Sequence, residues 1–340
     1  MKRALLHSSL TLGLLGPALS LAAELPTTAP KLVPLDSQRY VDDMRSGGPG
    51  KDGIPSIDDP SFWSAERADE FLEPNDRIIG VYRNGEARAY PQRVLVWHEV
   101  VNDEIGGESV SITYCPLTGT ALGFLRGDTE LGVSGRLVNS NLVMYDRASD
   151  SFWPQMLGAA INGPREGEGL EELRVVWTTW ERWQERHADT QVLSSDTGYM
   201  RNYRGDPYGS YTPVSGYYRP NAERLFPVQN TDDRYPPKRE VFGFRTGDTA
   251  VAVDTEHLSE AGTITLEQGG EWFVVIHDPD LDTGWVYRGD EAIELPDSFE
   301  FGPGGPQDPA LDKLEPVNGY SAMWFAWAAF YPNTRVIDGA

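Results

Sequence analysis

The chain contains a single cysteine, Cys115. It closes an apolar run, Val110-Ser111-Ile112-Thr113-Tyr114, and stands directly before Pro116 and the turn pair Thr118-Gly119. A strand end is where open sites are built on a rigid support, and this turn is expected to present the thiol. Upstream, Val94, Trp97, His98 and Val101 recur at i, i+3, i+4 and i+7. That spacing predicts a helix over 91–101 with Pro91 near its first turn and one apolar face. His98 then points inward beside Trp97, while Glu99 and Asp103 fall off that face and read as solvated.

Three chemistries stay open for Cys115 and His98. Thiolate and imidazole together suit copper or zinc; the Met144 thioether would favour copper, and His277 offers a second imidazole. Alternatively, Cys115 is a nucleophile with His98 as its base. An acid such as Asp103 or Asp146 would orient the ring, and N–H groups around Thr118 and Gly119 would hold an oxyanion. In the third reading the protein only binds a small molecule, and Cys115 merely packs. Polar and aromatic residues crowd the region that follows. Asp146, Arg147, Trp153 and Gln155, with Asp196 and Arg201 further on, read as the wall of a ligand pocket.

The motifs themselves carry a resemblance. They are Arg88-Ala89-Tyr90-Pro91, Trp97-His98-Glu99-Val100-Val101-Asn102-Asp103 and Thr113-Tyr114-Cys115-Pro116-Leu117-Thr118-Gly119-Thr120. Ser134-Gly135, Leu142-Val143-Met144-Tyr145-Asp146-Arg147, Ser151-Phe152-Trp153-Pro154-Gln155 and Asp196-Thr197-Gly198 follow in order. The sequence resembles the bacterial family called domain of unknown function 3179, over roughly residues 52 to 340. The resemblance implies no settled activity. Many members carry a second cysteine where this chain has Thr118, and a dithiol–disulfide cycle needs both sulfurs.

The elements that position these residues repeat. Residues 77–90, Arg77-Ile78-Ile79-Gly80-Val81-Tyr82 onward, have a counterpart in 240–253, Glu240-Val241-Phe242-Gly243-Phe244-Arg245 onward. Each reads as a β-hairpin around a Gly-containing turn. Later landmarks correspond too, including Trp180 and Trp183 with Trp324 and Trp327. The expected fold is α+β and predominantly β. It has two related β-rich halves from an internal duplication, each with a short amphipathic helix. The expected divisions are a signal peptide at 1–23, an extended lead-in at 24–51, a first half carrying the site at 52–198, a Tyr/Pro/Gly-rich connector at 199–239, and a degenerate second half at 240–340. The connector is too long for a bland linker and reads as a lid or wrap. Cys115 and His277 fall at similar places in the two halves.

Composition narrows the setting. Met1-Lys2-Arg3, the apolar stretch Ala4 to Leu21, and small residues at Ser20, Ala22 and Ala23 make a secretory signal sequence. Export to the periplasm or beyond is expected, with no membrane insertion afterwards, since Ala322 to Tyr331 is too short to cross a bilayer. Ten Trp, fifteen Tyr and twelve Phe supply ample core. A net charge of −23 argues against nucleic acid as a partner, and no Gly-rich phosphate loop is present. The expected partners are a small molecule or a redox partner. Lysines are few, Lys2, Lys31, Lys51, Lys238 and Lys313, which fits either a salt-rich habitat or ordinary acidic solubility.

Overall fold

A computed structural model describes residues 25–31, 34–292, 294–296 and 298–339. The expected signal sequence, 1–23, lies outside the described residues. Strands dominate, and the longest described helix has seven residues, so the fold is predominantly β as expected. None of these helices is long and apolar enough to cross a membrane. The lead-in is not simply extended. Thr27–Thr28 pairs with Gly169–Leu170, and Arg45–Ser46 pairs with Leu131–Val138. Between them Asp36 caps the short helix Ser37–Asp42 by accepting from the Arg39 N–H at 3.1 Å, and Tyr40 of that helix stacks on Phe330.

Both expected hairpins form. Arg77–Arg83 pairs with Glu86–Pro91 across Asn84-Gly85, both at positive φ, the two-residue turn whose twist suits a hairpin. Glu240–Thr246 pairs with Thr249–Asp254 across Gly247-Asp248. The first hairpin sits in a sheet ordered Val176–Thr179, Arg77–Arg83, Glu86–Pro91, Gln191–Leu193, Phe62–Ser64. The second sits in one ordered Gly319–Met323, Glu240–Thr246, Thr249–Asp254, Arg335–Ile337. In each, only the strand after the helix joins its neighbour in parallel. A tryptophan from that helix covers a glycine of the hairpin: Trp183 over Gly80, Trp327 over Gly243. Each indole then donates to a threonine, Trp183 to Thr190 at 3.0 Å and Trp327 to Thr334 at 2.9 Å.

Two antiparallel sheets continue the pattern. One is ordered Glu172–Leu173, Thr120–Leu125, Glu108–Cys115, Val100–Ile105; the other Glu315–Val317, Thr283–Gly289, Glu271–Asp278, Thr263–Gln268. Their central strands end alike, Cys115 opposite Thr120 and Asp278 opposite Thr283. The residue in register with Cys115 is therefore Asp278, and His277 lies one place earlier, on the opposite face of its strand. Asp278 is sealed by Arg186, which crosses from the first half to its carboxylate at 3.0 Å.

A further sheet, Phe152–Pro154, Asn141–Asp146, Leu131–Val138, Arg45–Ser46, belongs to the first half only. It shares one core with the second half, in which Cys115, Met144, Trp153, Trp324 and Trp327 lie together. This corrects one expectation. Helix Trp180–Arg186 is amphipathic, but all seven residues of Trp324–Phe330 are buried. That segment contains no charged side chain, and a helix apolar nearly all round belongs inside. Arg245 and Glu172 tie the halves with a buried ion pair at 2.5 Å.

The tryptophan contacts leave no room for a methyl group at Gly80 or Gly243, since a Cβ at either would overlap the indole. Gly80→Ala and Gly243→Ala should each lower stability by about 1–3 kcal/mol, the usual cost of overpacking. Urea unfolding midpoints would measure this, and an unchanged midpoint would refute the contact. Removing one partner of the buried pair, Glu172→Ala, should cost about 3–5 kcal/mol by leaving Arg245 uncompensated. The double change Glu172→Leu with Arg245→Met should recover most of that loss in the same assay.

Candidate functional site

The residues after the first hairpin do not form the long helix that their spacing predicts. Helix Gln92–Leu95 is a single turn, and Val100–Ile105 is already a strand, with Val100 opposite Thr113 and Val101 opposite Ile112. Pairing of these β-branched residues overrides the helical period. The link is a tight three-residue turn, closed by the Val100 N–H to His98 O at 2.6 Å, with Glu99 at its centre at φ +60°. A glutamate in this left-handed region is strained, and such strain persists only where its surroundings fix it.

His98 is fully buried, as expected. Its Nδ1 lies 2.8 Å from the Pro55 carbonyl, which can only accept, so Nδ1 carries the proton. Nε2 then accepts from the Tyr203 hydroxyl at 2.6 Å, and the Thr197 hydroxyl reaches the same Tyr203 oxygen at 2.5 Å. Burial pushes the imidazole below its ordinary pKa, which keeps it neutral. Both ring nitrogens are thus engaged, and no hydrogen bond or ring contact joins His98 to Cys115. Thr197 of the triplet Asp196-Thr197-Gly198 acts here as a support for Tyr203.

Glu99 overturns the expectation of a solvated acid. It is buried, with 6% of its surface exposed, and its carboxyl has no hydrogen bond or ion pair among the described residues. Burial alone raises its pKa to about 8. Asp103 is buried too and accepts from the Tyr90 hydroxyl at 2.6 Å. An acid set among Val94, Leu95, Val96, Val100 and Val101 was the available sign of burial, and helical periodicity masked it.

Cys115 is also fully buried, so the turn after it does not present the thiol to solvent. The Leu142 N–H points at Sγ from 3.4 Å, and Sγ lies 3.9 Å from the Ser140 carbonyl. Burial raises the thiol to about 11, the nearby Glu99 charge adds to this, and hydrogen bonds from Thr118 and Leu142 oppose it. Burial, then Glu99 and Cys115, raise Tyr208; burial, then Cys115, raise Tyr217. Glu99, Cys115, Tyr208 and Tyr217 therefore lie within electrostatic reach of one another.

The connector does the covering. Tyr217 donates to the Leu117 carbonyl at 2.7 Å, and Lys238 lies on the Tyr217 ring at 2.8 Å while donating to the Tyr217 and Glu223 carbonyls. Burial lowers that ammonium to about 8. Tyr211 stacks on Tyr218, its hydroxyl 3.0 Å from that of Tyr114, and Gln92 and Tyr218 both donate to Asp206 at 2.8 Å. Below the thiol, the turn Asn139-Ser140 holds two positive φ angles and is pinned to the connector through the Gln229 N–H and the Phe226 carbonyl.

The other expected site residues lie elsewhere. Met144 is core. Gln155 belongs to a buried network with Asn141, Thr120 and Thr113, at 2.9, 2.6 and 2.9 Å. Asp146 accepts from Ser149 and from the Trp153 indole at 3.0 Å. Arg147 pairs with Asp52, Asp58 and Glu130 near the surface. Asp196 is exposed near Arg67, and Arg201 is exposed. Apart from Asp146 and Trp153, which bond to each other, these side chains each pair with different neighbours. His277 sits in a separate cleft of about 410 Å³, 3.3 Å from Asp282. Among the described residues no three or more His, Cys, Asp or Glu side chains group to hold a metal, so Cys115, His98 and His277 do not form one ligand set.

No curated protein and no solved structure matches the chain. The family described as "Protein of unknown function (DUF3179)" matches residues 51–334, from the start of the first half almost to the last strand. The chain belongs to that family.

Proposed function

We propose that this chain is exported and acts as a thiol enzyme, with Cys115 as nucleophile and Glu99 as its proton acceptor and donor. One observation carries the reading: a carboxyl with no protein partner is held on a strained turn in largely buried surroundings, within electrostatic reach of the only thiol in the chain. Perturbed acids of this kind concentrate at functional sites, and a carboxyl poised near neutrality suits acid–base work. Ionised Glu99 takes the thiol proton, and the thiolate adds to a carbonyl carbon of a small substrate; the C=O π pair moves to oxygen, which takes the proton back from Glu99. Leu142 and Thr118, which donate to the sulfur, steady the thiolate. His98 is a positioning residue that holds Tyr203 and, through it, the start of the connector. With one cysteine, the covalent step is adduct formation rather than an internal disulfide.

Substrate enters when the tyrosines of the connector part from the Cys115 strand end. The N-terminal residues support export. The matching strand orders and the two tryptophan–glycine contacts support descent of the halves, 52–198 and 240–340, from a duplication, with the connector at 199–239 between them.

Two measurements follow. Native Cys115 should react with iodoacetamide at a rate that rises through about pH 8 and then levels, following Glu99 rather than the thiol. Glu99→Gln should abolish that inflection. A rate that climbs steadily to high pH in both proteins, or a native thiol inert across the range, would overturn the assignment. The second concerns stability. Glu99 is protonated when folded up to about pH 8 but ionises near 4.5 when unfolded, so stability falls as pH rises between those values. The full loss is on the order of 4–5 kcal/mol. Glu99→Gln should therefore match the wild type below pH 4.5 and exceed it increasingly toward pH 8, read by urea unfolding across pH.

A further inference from the structure

A second cavity, of about 350 Å³, opens between the halves, away from Glu99 and Cys115. Arg174, Trp183 and Tyr82 line it from the first half, and Trp285 and Asn318 from the second. Three charged residues reach its wall. Arg83 pairs with Glu108, and Glu172 pairs with Arg245. Arg174 has no carboxylate partner among the described residues. Its guanidinium lies over the Trp285 ring at 4.9 Å and donates to the Gly319 carbonyl, the Thr283 hydroxyl and the Gly284 carbonyl. Arginine has five N–H donors, so two lack a protein acceptor.

Asn318 adds a second open position. Its Nδ2 donates to Glu172 at 2.9 Å, which fixes the amide orientation, and its Oδ1 is buried with no partner. A buried acceptor left empty is costly, and a ligand donor would recover that cost. The cavity thus presents a cation with no carboxylate bonded to it, an unused acceptor and aromatic walls, at a volume that suits a small ligand. In a chain of net charge −23, a locally unneutralised arginine is selective for an anion that fits beside it.

We propose that this cavity binds a small aromatic carboxylate, its carboxyl on Arg174, its ring against Trp285 and Trp183, and a hydroxyl or amine N–H on Asn318 Oδ1. Arg174 in the same surroundings is pushed down to about 10 by burial, and an anion at this position would raise it again. The site is independent of Cys115, so its ligand is bound whether or not the thiol reacts.

The test is titration of the full chain with phenylacetate, 4-hydroxyphenylacetate and neutral phenylacetamide, followed by quenching of tryptophan emission and by calorimetry at low salt. Both acids should saturate, the hydroxylated one more tightly, with the amide at least tenfold weaker. Arg174→Gln should remove the preference for acid over amide. Because Arg174 also ties the halves together, Tyr82→Glu at the half-exposed rim serves as a second variant. It should weaken the acids at least fivefold, spare the amide, and leave the melting temperature unchanged. Cys115→Ser should bind as the wild type. Equal affinity for acid and amide, no saturation by either acid, or acid binding that both variants leave untouched would overturn the proposal.

Discussion

A carboxyl group held in largely buried surroundings without a protein partner is costly, and the backbone around Glu99 is fixed so that it stays there. The chain is fastened on both sides of it. His98 is fixed through Pro55 and Tyr203, the Glu99 carbonyl accepts from the Tyr114 N–H at 2.7 Å, and Val100 enters the sheet at once. The three-residue turn sets the side chain in largely buried surroundings, within electrostatic reach of Cys115. Loosening any fastening would let the acid hydrate more fully and relieve both strain and desolvation. The packing of the first half is in this sense a clamp on one residue.

The surroundings of Cys115 follow the same logic with the opposite polarity. Thr113, Thr118, Thr120, Asn141 and Gln155 satisfy one another behind the strand end, so the polar groups next to the thiol are accounted for. A fully satisfied buried network of this kind rigidifies and specifies a single arrangement. What remains unsatisfied nearby is the carboxyl of Glu99. Contrast between a saturated frame and one unsaturated group is what gives the site chemical direction.

Much of this architecture was legible in the sequence. Asn84-Gly85 and Gly247-Asp248 gave away their hairpins because only certain residues accept those turn angles, and Cys115 at a strand end followed from an apolar run meeting Pro116. Other features were hidden for physical reasons. The spacing of Val94, Trp97, His98 and Val101 fits a helix face, but the same valines pair equally well in a strand, and only the distant partners Ile112 and Thr113 decide. Glu99 looked solvated because local pattern cannot see a cover supplied from beyond residue 199. Asp146, Arg147, Trp153 and Gln155 clustered in sequence and suggested a pocket, whereas in space their hydrogen bonds are taken up by separate partners: Asp146 with Trp153, Arg147 with surface acids, and Gln155 with Asn141, Thr120 and Thr113. His277 matched Cys115 by rough position and missed it by one residue, which in a strand means the opposite face.

The two central strands end in Cys115 and Asp278, and each end is shut by chain from outside its own sheet. At Asp278 the stopper is Arg186, an ion pair with almost no exposed surface on either side. At Cys115 it is a group of tyrosines held by neutral contacts, Tyr217 donating to the Leu117 carbonyl and Tyr211 stacking on Tyr218. An ion pair buried on both sides opens only at the cost of two stranded charges, while hydroxyls leaving carbonyls find equivalent partners in water. The molecule is therefore built from like ends with unlike hinges. One is welded by paired charges and the other is latched by neutral groups.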